Sequence, residues 1–307
     1  MKDERKMTTF FIITSTEDKA SMNIRNQLLH DDLFKFKELN IKFHKNPLIQ
    51  LEYIIAKKDW IPFFKENQIY LGLTDEPLIH LDDLKLDESD INPDLLIFAS
   101  RHRSETERPA FLVHTTGNWS NKADFGGNPR VLSRSSAMLL KSAYISLESQ
   151  RSIKEMLDFS LDIEVTHHGP TSLEKPLIFM ELGSCEKEWK IEKAALVVGH
   201  AILDTCLKYV EFRKEKPPEI GIGFGGPHYA PQFQKLISNE NVAISFICPK
   251  YFIRDLNKEM IEQMISNNLE QINCFLIDWK GTNADDKKHL IPLLEDFDIP
   301  IIKTKDF

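Results

Sequence analysis

The chain has 307 residues, 42% of them apolar and 28% charged, with a net charge of −8. A chain this long buries about 75% of the surface it exposes when unfolded, so a disordered, collagen-like or disulfide-stapled protein is excluded. The four cysteines form no CxxC pair, which excludes a cysteine zinc ribbon, and no apolar run reaches the ~18 residues of a membrane span.

The charged stretch Met1 to Met7 leads straight into a strand-like run without the apolar core of a signal peptide, so a cytoplasmic protein is expected. Thr9 to Ser15 reads as a buried strand and Asp18 to Leu29 as a helix. Between Ile41 and Leu86 lie strand-like pieces (Ile54-Ile55, Gln68 to Leu73, Leu78 to His80) that predict an antiparallel edge or insertion. Leu95 to Ser100 and Phe111 to His114 are short apolar strands, and Arg134 to Glu148 has the composition of a helix. Ser160 to Thr166 alternates as a strand does, and Leu177 to Met180 is apolar and ends at Glu181. A long helix is predicted over Glu186 to Phe212, starting from Ser184. Strands at Glu219 to Gly223, Val242 to Cys248, Ile272 to Asp278 and Ile301 to Lys303 then alternate with helices at Pro231 to Ser238, Asn257 to Asn267 and Asp285 to Phe297.

This alternation, with few hairpin signals, predicts an α/β fold: one domain over residues 1–307, a mostly parallel central sheet flanked by helices, and a small antiparallel insertion at about 41–86. Ligands in such sheets sit beyond the carboxyl ends of the strands. Five strand ends here run into polar loops: Ser100-Arg-His-Arg103, His114-Thr-Thr-Gly-Asn118, Thr166-His-His-Gly-Pro-Thr-Ser172, Glu181-Leu-Gly-Ser184 and Phe224-Gly-Gly-Pro-His-Tyr-Ala-Pro231. Glycine marks the same stretch. The chain has only 12 glycines, about 4% against a typical ~7%, and all but Gly72 and Gly281 fall between Gly117 and Gly226.

Six of the ten histidines (His102, His114, His167, His168, His200, His228) fall within the 127 residues from His102 to His228. With Glu181 they form a candidate ligand set for zinc, which takes imidazole nitrogens and carboxylate oxygens and can activate a water for hydrolysis. His200, midway along an apolar helix, reads instead as a core residue. There is no HExxH and no GxSxG, which counts against a metalloprotease and an α/β-hydrolase serine enzyme. Cys185 at a helix start is a weaker nucleophile candidate. The Ser184 helix start and the Gly225-Gly226 turn could each present backbone N–H groups to an oxyanion. Charge is uneven too: Arg101 to Arg151 holds eight basic and four acidic residues, leaving the rest of the chain at −12. A polyanion would therefore meet favourable charge in one segment only.

The loops Thr166-His-His-Gly-Pro-Thr171, Glu181-Leu-Gly-Ser184 with Glu188-Trp189, and Gly226-Pro-His-Tyr-Ala-Pro231 with Phe233 together resemble the archaeal and plant class of D-aminoacyl-tRNA deacylases. Ser100-Arg-His-Arg-Ser104, His114-Thr-Thr-Gly-Asn118 and Asp278-Trp-Lys280 fit the same resemblance, which runs over essentially the whole chain. It implies a zinc-dependent ester hydrolase with a phosphorylase/hydrolase-like fold, freeing tRNA from D-amino acids such as D-tyrosine as a proofreading step. On that reading His102, His167 and His228 are the expected metal ligands, with one or two zinc ions, and Glu181 and His168 the expected proton-transfer groups. Thr171, Ser184, Gly225, Gly226 and Tyr229 are the expected substrate or oxyanion contacts. Arg101, Arg103, Arg130 and Arg134 are expected under the acceptor stem, where phosphate contacts position without reading sequence. Cys185 and Gln232 depart from the serine and basic residue the resemblance leads one to expect. A monomer or small homo-oligomer with no membrane partner is expected. The alternatives are another metal-assisted hydrolase or phosphorylase, directed at peptidyl-tRNA or a nucleoside, and a non-catalytic tRNA-binding protein.

Overall fold

The structure is a computed structural model that describes residues 7–54, 60–214, 217–239 and 241–307. Its strands run β1 (Thr8–Ser15), β2 (Phe34–Phe43), β3 (Asn46–Ile54), β4 (Asn67–Thr74), β5 (Leu95–Arg101), β6 (Ala110–His114), β7 (Ser160–Ile163), β8 (Leu177–Gly183), β9 (Glu219–Phe224), β10 (Val242–Cys248), β11 (Cys274–Ile277) and β12 (Ile301–Lys303). They build two sheets rather than one. Eight strands lie in the order β2-β3-β4-β1-β5-β8-β6-β7, and four parallel strands in the order β10-β9-β11-β12.

The antiparallel edge expected near 41–86 is the β2–β3 hairpin, which begins earlier, at Phe34. Phe34-Lys-Phe36-Lys already alternates apolar and polar, as an edge strand with one wet face must. Gln68 to Leu73 lies within β4, which pairs parallel with β1. Leu78–His80 is a 3-10 turn, not a strand, and Ile55 lies outside the described residues.

In the large sheet, alternate residues of the buried strands feed two separate cores. Phe10, Ile12, Ile97, Ala99, Ile178 and Met180 join the main core. Phe11, Ile13, Leu96, Phe98, Leu177 and Phe179 point the other way, into a smaller core closed by Leu78, Leu81 and Leu84. The helix Ala137–Ile153 packs on both Glu192–Phe212 and β10, so it fills the space between the two sheets.

This helix starts later than its composition predicts. Residues 134–135 are held in bridging contacts, the Arg134 carbonyl accepting from Leu177 N and Ser135 N donating to the Asn267 carbonyl. Ser136 is then the N-cap, and Glu270 accepts from its hydroxyl and from the backbone N–H of Ala137 and Met138. One distant carboxylate thus satisfies donors that a helix start leaves unpaired. Glu270→Ala should lower stability by roughly 1–3 kcal/mol, read as the shift in a urea unfolding curve. An unchanged midpoint would mean that water replaces the carboxylate at no cost.

The long helix expected from Ser184 is two helices, Glu186–Trp189 and Glu192–Phe212. The Trp189 carbonyl is taken by the Asn23 side-chain amide (2.9 Å), and Ile191 is extended at φ −74°, ψ 106°. Among the described residues, no helix is long and apolar enough to cross a membrane.

Candidate active site

The site lies where the smaller core of the large sheet gives way to polar residues. Strand β8 continues the face of Leu177 and Phe179 with Glu181, which pairs with Ser100 on β5 and with Leu112 on β6. Strand β6 runs antiparallel to β8, so its last residue, His114, comes back to lie beside Phe179. The site is therefore not a common carboxyl edge of parallel strands. The end of β5 brings His102 from one side and the end of β6 brings His114 from the other, with Glu181 between them. Gly183 makes room for His102, because a Cβ there would come within 2.8 Å of the His102 Cβ.

The chain beyond β7 supplies the remaining groups. Glu164 N donates to the Val113 carbonyl, which sets Glu164 level with His114. Val165 and Thr166 then pair with the second sheet, through the His228 carbonyl (2.9 Å) and the Ile247 carbonyl (3.0 Å). That junction carries the His228 loop to the cluster. Thr115 and Thr166 share a hydroxyl contact of 2.7 Å, and the Trp119 indole donates to the Thr166 carbonyl (2.6 Å), pinning the loops to one another. Adjacent strand residues would face opposite ways, but His168 has a left-handed backbone (φ +44°). Its ring consequently lies 4.5 Å from that of His167. A non-glycine residue held in this region costs on the order of 1–3 kcal/mol, and such residues concentrate at functional sites.

Three of the histidines share one hydrogen-bonding pattern. Nδ1 of His114 faces the Thr115 carbonyl (3.1 Å), Nδ1 of His167 the Val165 carbonyl (2.8 Å) and Nδ1 of His168 the Gly169 carbonyl (2.6 Å). A carbonyl only accepts, so each Nδ1 carries a proton, and a ring that is neutral keeps its lone pair on Nε2. At His114 burial opposes a charge, but Glu181, 3.7 Å from Nε2, outweighs it and raises the pKa. Three overlapping groups offer ligand atoms within 4.8 Å of one another: His114, His167 and His168; Glu164, His167 and His228; His102, Glu164 and Glu181. Buried Nε2 of His114 has nothing nearer than the Glu181 carboxylate at 3.7 Å, and buried Oε2 of Glu164 has only the long 3.4 Å contact to His102, so both atoms are under-satisfied.

Electrostatics divide the cluster in two. Burial and the neighbouring imidazoles hold His167 well below the ordinary histidine value and His168 down at about 4, so both stay neutral. Burial also opposes a charge on His102. Hydrogen bonds and charge from Glu164 and Glu181 together outweigh it and raise His102 to about 11. Burial opposes ionisation of both carboxylates, yet His102 and His114 bring Glu181 down to about 2, while His102 and His228 hold Glu164 well below its usual range. His102 Nδ1 stands 3.4 Å from each carboxylate. His228 Nε2 lies 2.7 Å from Glu164, and its Nδ1 lies 3.1 Å from the half-exposed Tyr251 hydroxyl.

The cluster thus gathers His102, His114, His167, His168, Glu181 and His228 from all five predicted loops, and adds Glu164. The sequence reading missed Glu164 outright, although Glu164-x-x-His167 sets a carboxylate three residues before a histidine pair. Tyr229 is also here, its hydroxyl 3.5 Å from His102 Nε2. Other expected contacts are committed elsewhere. Gly225 N donates to the Cys248 carbonyl (2.8 Å) and Gly226 N to the Gly281 carbonyl (3.3 Å), so neither amide is free for an oxyanion. The Ser184 hydroxyl donates to the Arg108 carbonyl (2.6 Å), and the Thr171 hydroxyl accepts from Asn128 N (2.8 Å). The Cys185 thiol sits 2.9 Å from Glu188, whose carboxylate raises its pKa, the reverse of an activated nucleophile. His200 is a core residue paired with Asp31, as expected.

The basic segment also sorts itself. Arg108 pairs with Asp162, Lys141 is buried against backbone carbonyls and Arg151 caps the Leu157 carbonyl. Arg101 and Arg103 flank His102 at the Leu182 end of β8, whereas Arg134 touches its start at Leu177, about 17 Å away at ~3.3 Å per residue. Arg134 is therefore set apart from Arg101 and Arg103 along the sheet.

A set of histidines and carboxylates that keeps His167 and His168 neutral beside a charged His102, Glu164 and Glu181 is the machinery of an enzyme. The sequence pattern of the D-aminoacyl-tRNA deacylase family matches residues 89–302, a span that holds every member of the cluster, and the chain belongs to that family. It is 31% identical to the D-aminoacyl-tRNA deacylase of Pyrococcus furiosus over 292 residues, covering 95% of this chain and 98% of the relative. The Thermococcus onnurineus enzyme of the same name is 32% identical over 295 residues, with the same coverage. A crystal structure of a conserved protein of unknown function, AF0625, superposes with a TM-score of 0.80 at 30% identity, over 98% of this chain and 96% of that one.

Proposed function

We propose that the chain hydrolyses the ester joining a D-amino acid to the terminal ribose of tRNA, releasing both and clearing mischarged tRNA from the cytoplasm before translation uses it. Membership of the deacylase family supports the reaction. The observation that carries the mechanism is the cluster itself, with neutral His167 and His168 beside under-satisfied atoms of His114 and Glu164.

The donor set, imidazole nitrogen and carboxylate oxygen, is the one zinc takes. Glu164, His167 and His228 are the residues we assign to hold it. His167 has a single free lone pair and so serves one ion, and the group that includes Glu164 brings a negative charge to a dication where the all-histidine group brings none. Zinc bound there supplies Lewis acidity, which lowers the pKa of a water and polarises an ester carbonyl.

The chain's own residues do the rest. Glu181, held at about 2, is a poor proton shuttle; it orients His102 and His114. His168, neutral through the physiological range, presents the lone pair that receives a proton from the attacking water. His102, protonated between its two carboxylates, faces the Tyr229 hydroxyl and is the acid that returns a proton to the departing ribose oxygen. Release of D-tyrosine from D-tyrosyl-tRNA, followed by mass with zinc supplied and L-tyrosyl-tRNA as control, tests the reading. Protein that leaves both esters intact, across several D-amino acids, refutes it.

A further inference from the structure

We propose that Phe125 is the stacking surface for the terminal base of the tRNA, and hence a substrate-binding residue of this site. The inference rests on the tRNA reading above. The ester sits on the ribose of the last nucleotide, so when its carbonyl is at the histidine cluster the attached base lies within one nucleoside of it. An unpaired 3′ end is sequence-tolerantly held by an aromatic face, because every base has one.

Phe125 is where such a face is offered. It is 69% exposed and belongs to neither core. Among the described residues its ring meets no aromatic partner. It is nevertheless carried on a fixed loop. The excursion from Gly117 to Leu132 is closed by a β-bridge between those residues and by Arg130 N donating to the Ser120 carbonyl (3.0 Å). Inside it, the Asn118 side-chain amide donates to the carbonyls of Gly126 (2.9 Å) and Asn128 (3.2 Å). Gly126 has φ +85°, a conformation that lets its backbone press against the Ile79 carbonyl. The tip is tied directly to the catalytic loop, since Gly169 N, next in chain to His168, donates to the Phe125 carbonyl (3.1 Å), and Gly117 N donates to the His168 carbonyl (2.8 Å).

A large apolar ring on a rigid loop bonded to the histidine loop loses little conformational entropy on binding, which favours an aromatic contact over a flexible one. The loop's charge selects the partner. Lys122 and Arg130 sit on the same excursion, and neither forms an ion pair among the described residues; the Arg130 guanidinium donates to the Asp255 carbonyl (3.0 Å). With the exposed Asp124 next to the ring the excursion carries a net charge of +1, which favours a phosphate-linked base.

The test is steady-state deacylation of D-tyrosyl-tRNA by Phe125→Ala, Phe125→Leu and Phe125→Trp, with binding of uncharged tRNA that is either complete or trimmed of its terminal unpaired nucleotides. Alanine should raise KM roughly tenfold or more, leucine should rescue little because it restores bulk without a π face, and tryptophan should return KM to near the parent value. Complete tRNA should bind the parent protein more tightly than trimmed tRNA, and Phe125→Ala should erase that preference. Full rescue by leucine, an unchanged KM for alanine, or equal binding of the two tRNAs by the parent would overturn the assignment. So would a change of oligomeric state in Phe125→Ala, seen by light scattering, which would mark the ring as a contact between copies. If the parent protein itself cleaves no D-aminoacyl-tRNA, the functional reading has failed instead.

Discussion

Glu164→Gln should reduce deacylation by at least ~100-fold in single turnover, even with excess enzyme and zinc. The substitution preserves shape and removes one charge. That charge holds His102 protonated together with Glu181, accepts the contact from His228, and belongs to the group assigned to the metal. Its loss weakens the acid and the metal site at once, whereas a merely structural carboxylate would leave turnover intact. A parent-like rate would move the reaction away from Glu164 altogether. Stability should change with a definite sign. Glu164 is held well below its reference value of 4.5, so the stability it contributes is present above about pH 4.5 and is lost as pH falls through its folded value. In metal-free protein the gap between parent and variant should be widest near neutrality and close on acidification. At its widest it should approach the roughly 3–5 kcal/mol typical of removing one partner from a buried ion pair, less what Glu181 retains.

Stripping divalent metal with a chelator should abolish turnover, and stoichiometric zinc should restore it. With Nδ1 of His167 and of His168 committed to a carbonyl, each ring keeps its Nε2 lone pair for a ligand, and the buried Nε2 of His114 and Oε2 of Glu164 are under-satisfied. A site left in that state carries a desolvation cost that a bound cation removes. His167→Ala should weaken zinc retention, measured by metal analysis after dialysis, more than His168→Ala does. If His168 is the proton acceptor, its variant should keep the metal and lose the rate. Full activity in metal-free protein would show that the histidines act only as acids and bases.

Much of this protein was legible in its residues. The strands β1, β10 and β12, the alternation that makes an α/β protein and the loops that converge on the site follow from short apolar runs punctuated by glycine, histidine and proline. Local chemistry dictates each of them. Motif resemblance likewise named five of the seven groups in the cluster. What the residues could not show were facts of long-range pairing. A run such as Leu177 to Gly183 does not state which neighbours flank it, so neither the reversal of β6 against β8 nor the split into two sheets was visible.

Hydrogen-bond commitments were equally hidden. Gly225 and Gly226 look like an anion turn until their N–H groups are seen to be used by Cys248 and Gly281, residues far along the chain. Glu164 looked like one more polar position on a strand, because its importance comes from two histidines 62 and 64 residues away that burial forces upon it. Sequence alone determined which residue types could do the chemistry and roughly where the loops lay. Tertiary structure alone decided which of them share a protonation state, because that depends on burial and on charges brought together from distant strands.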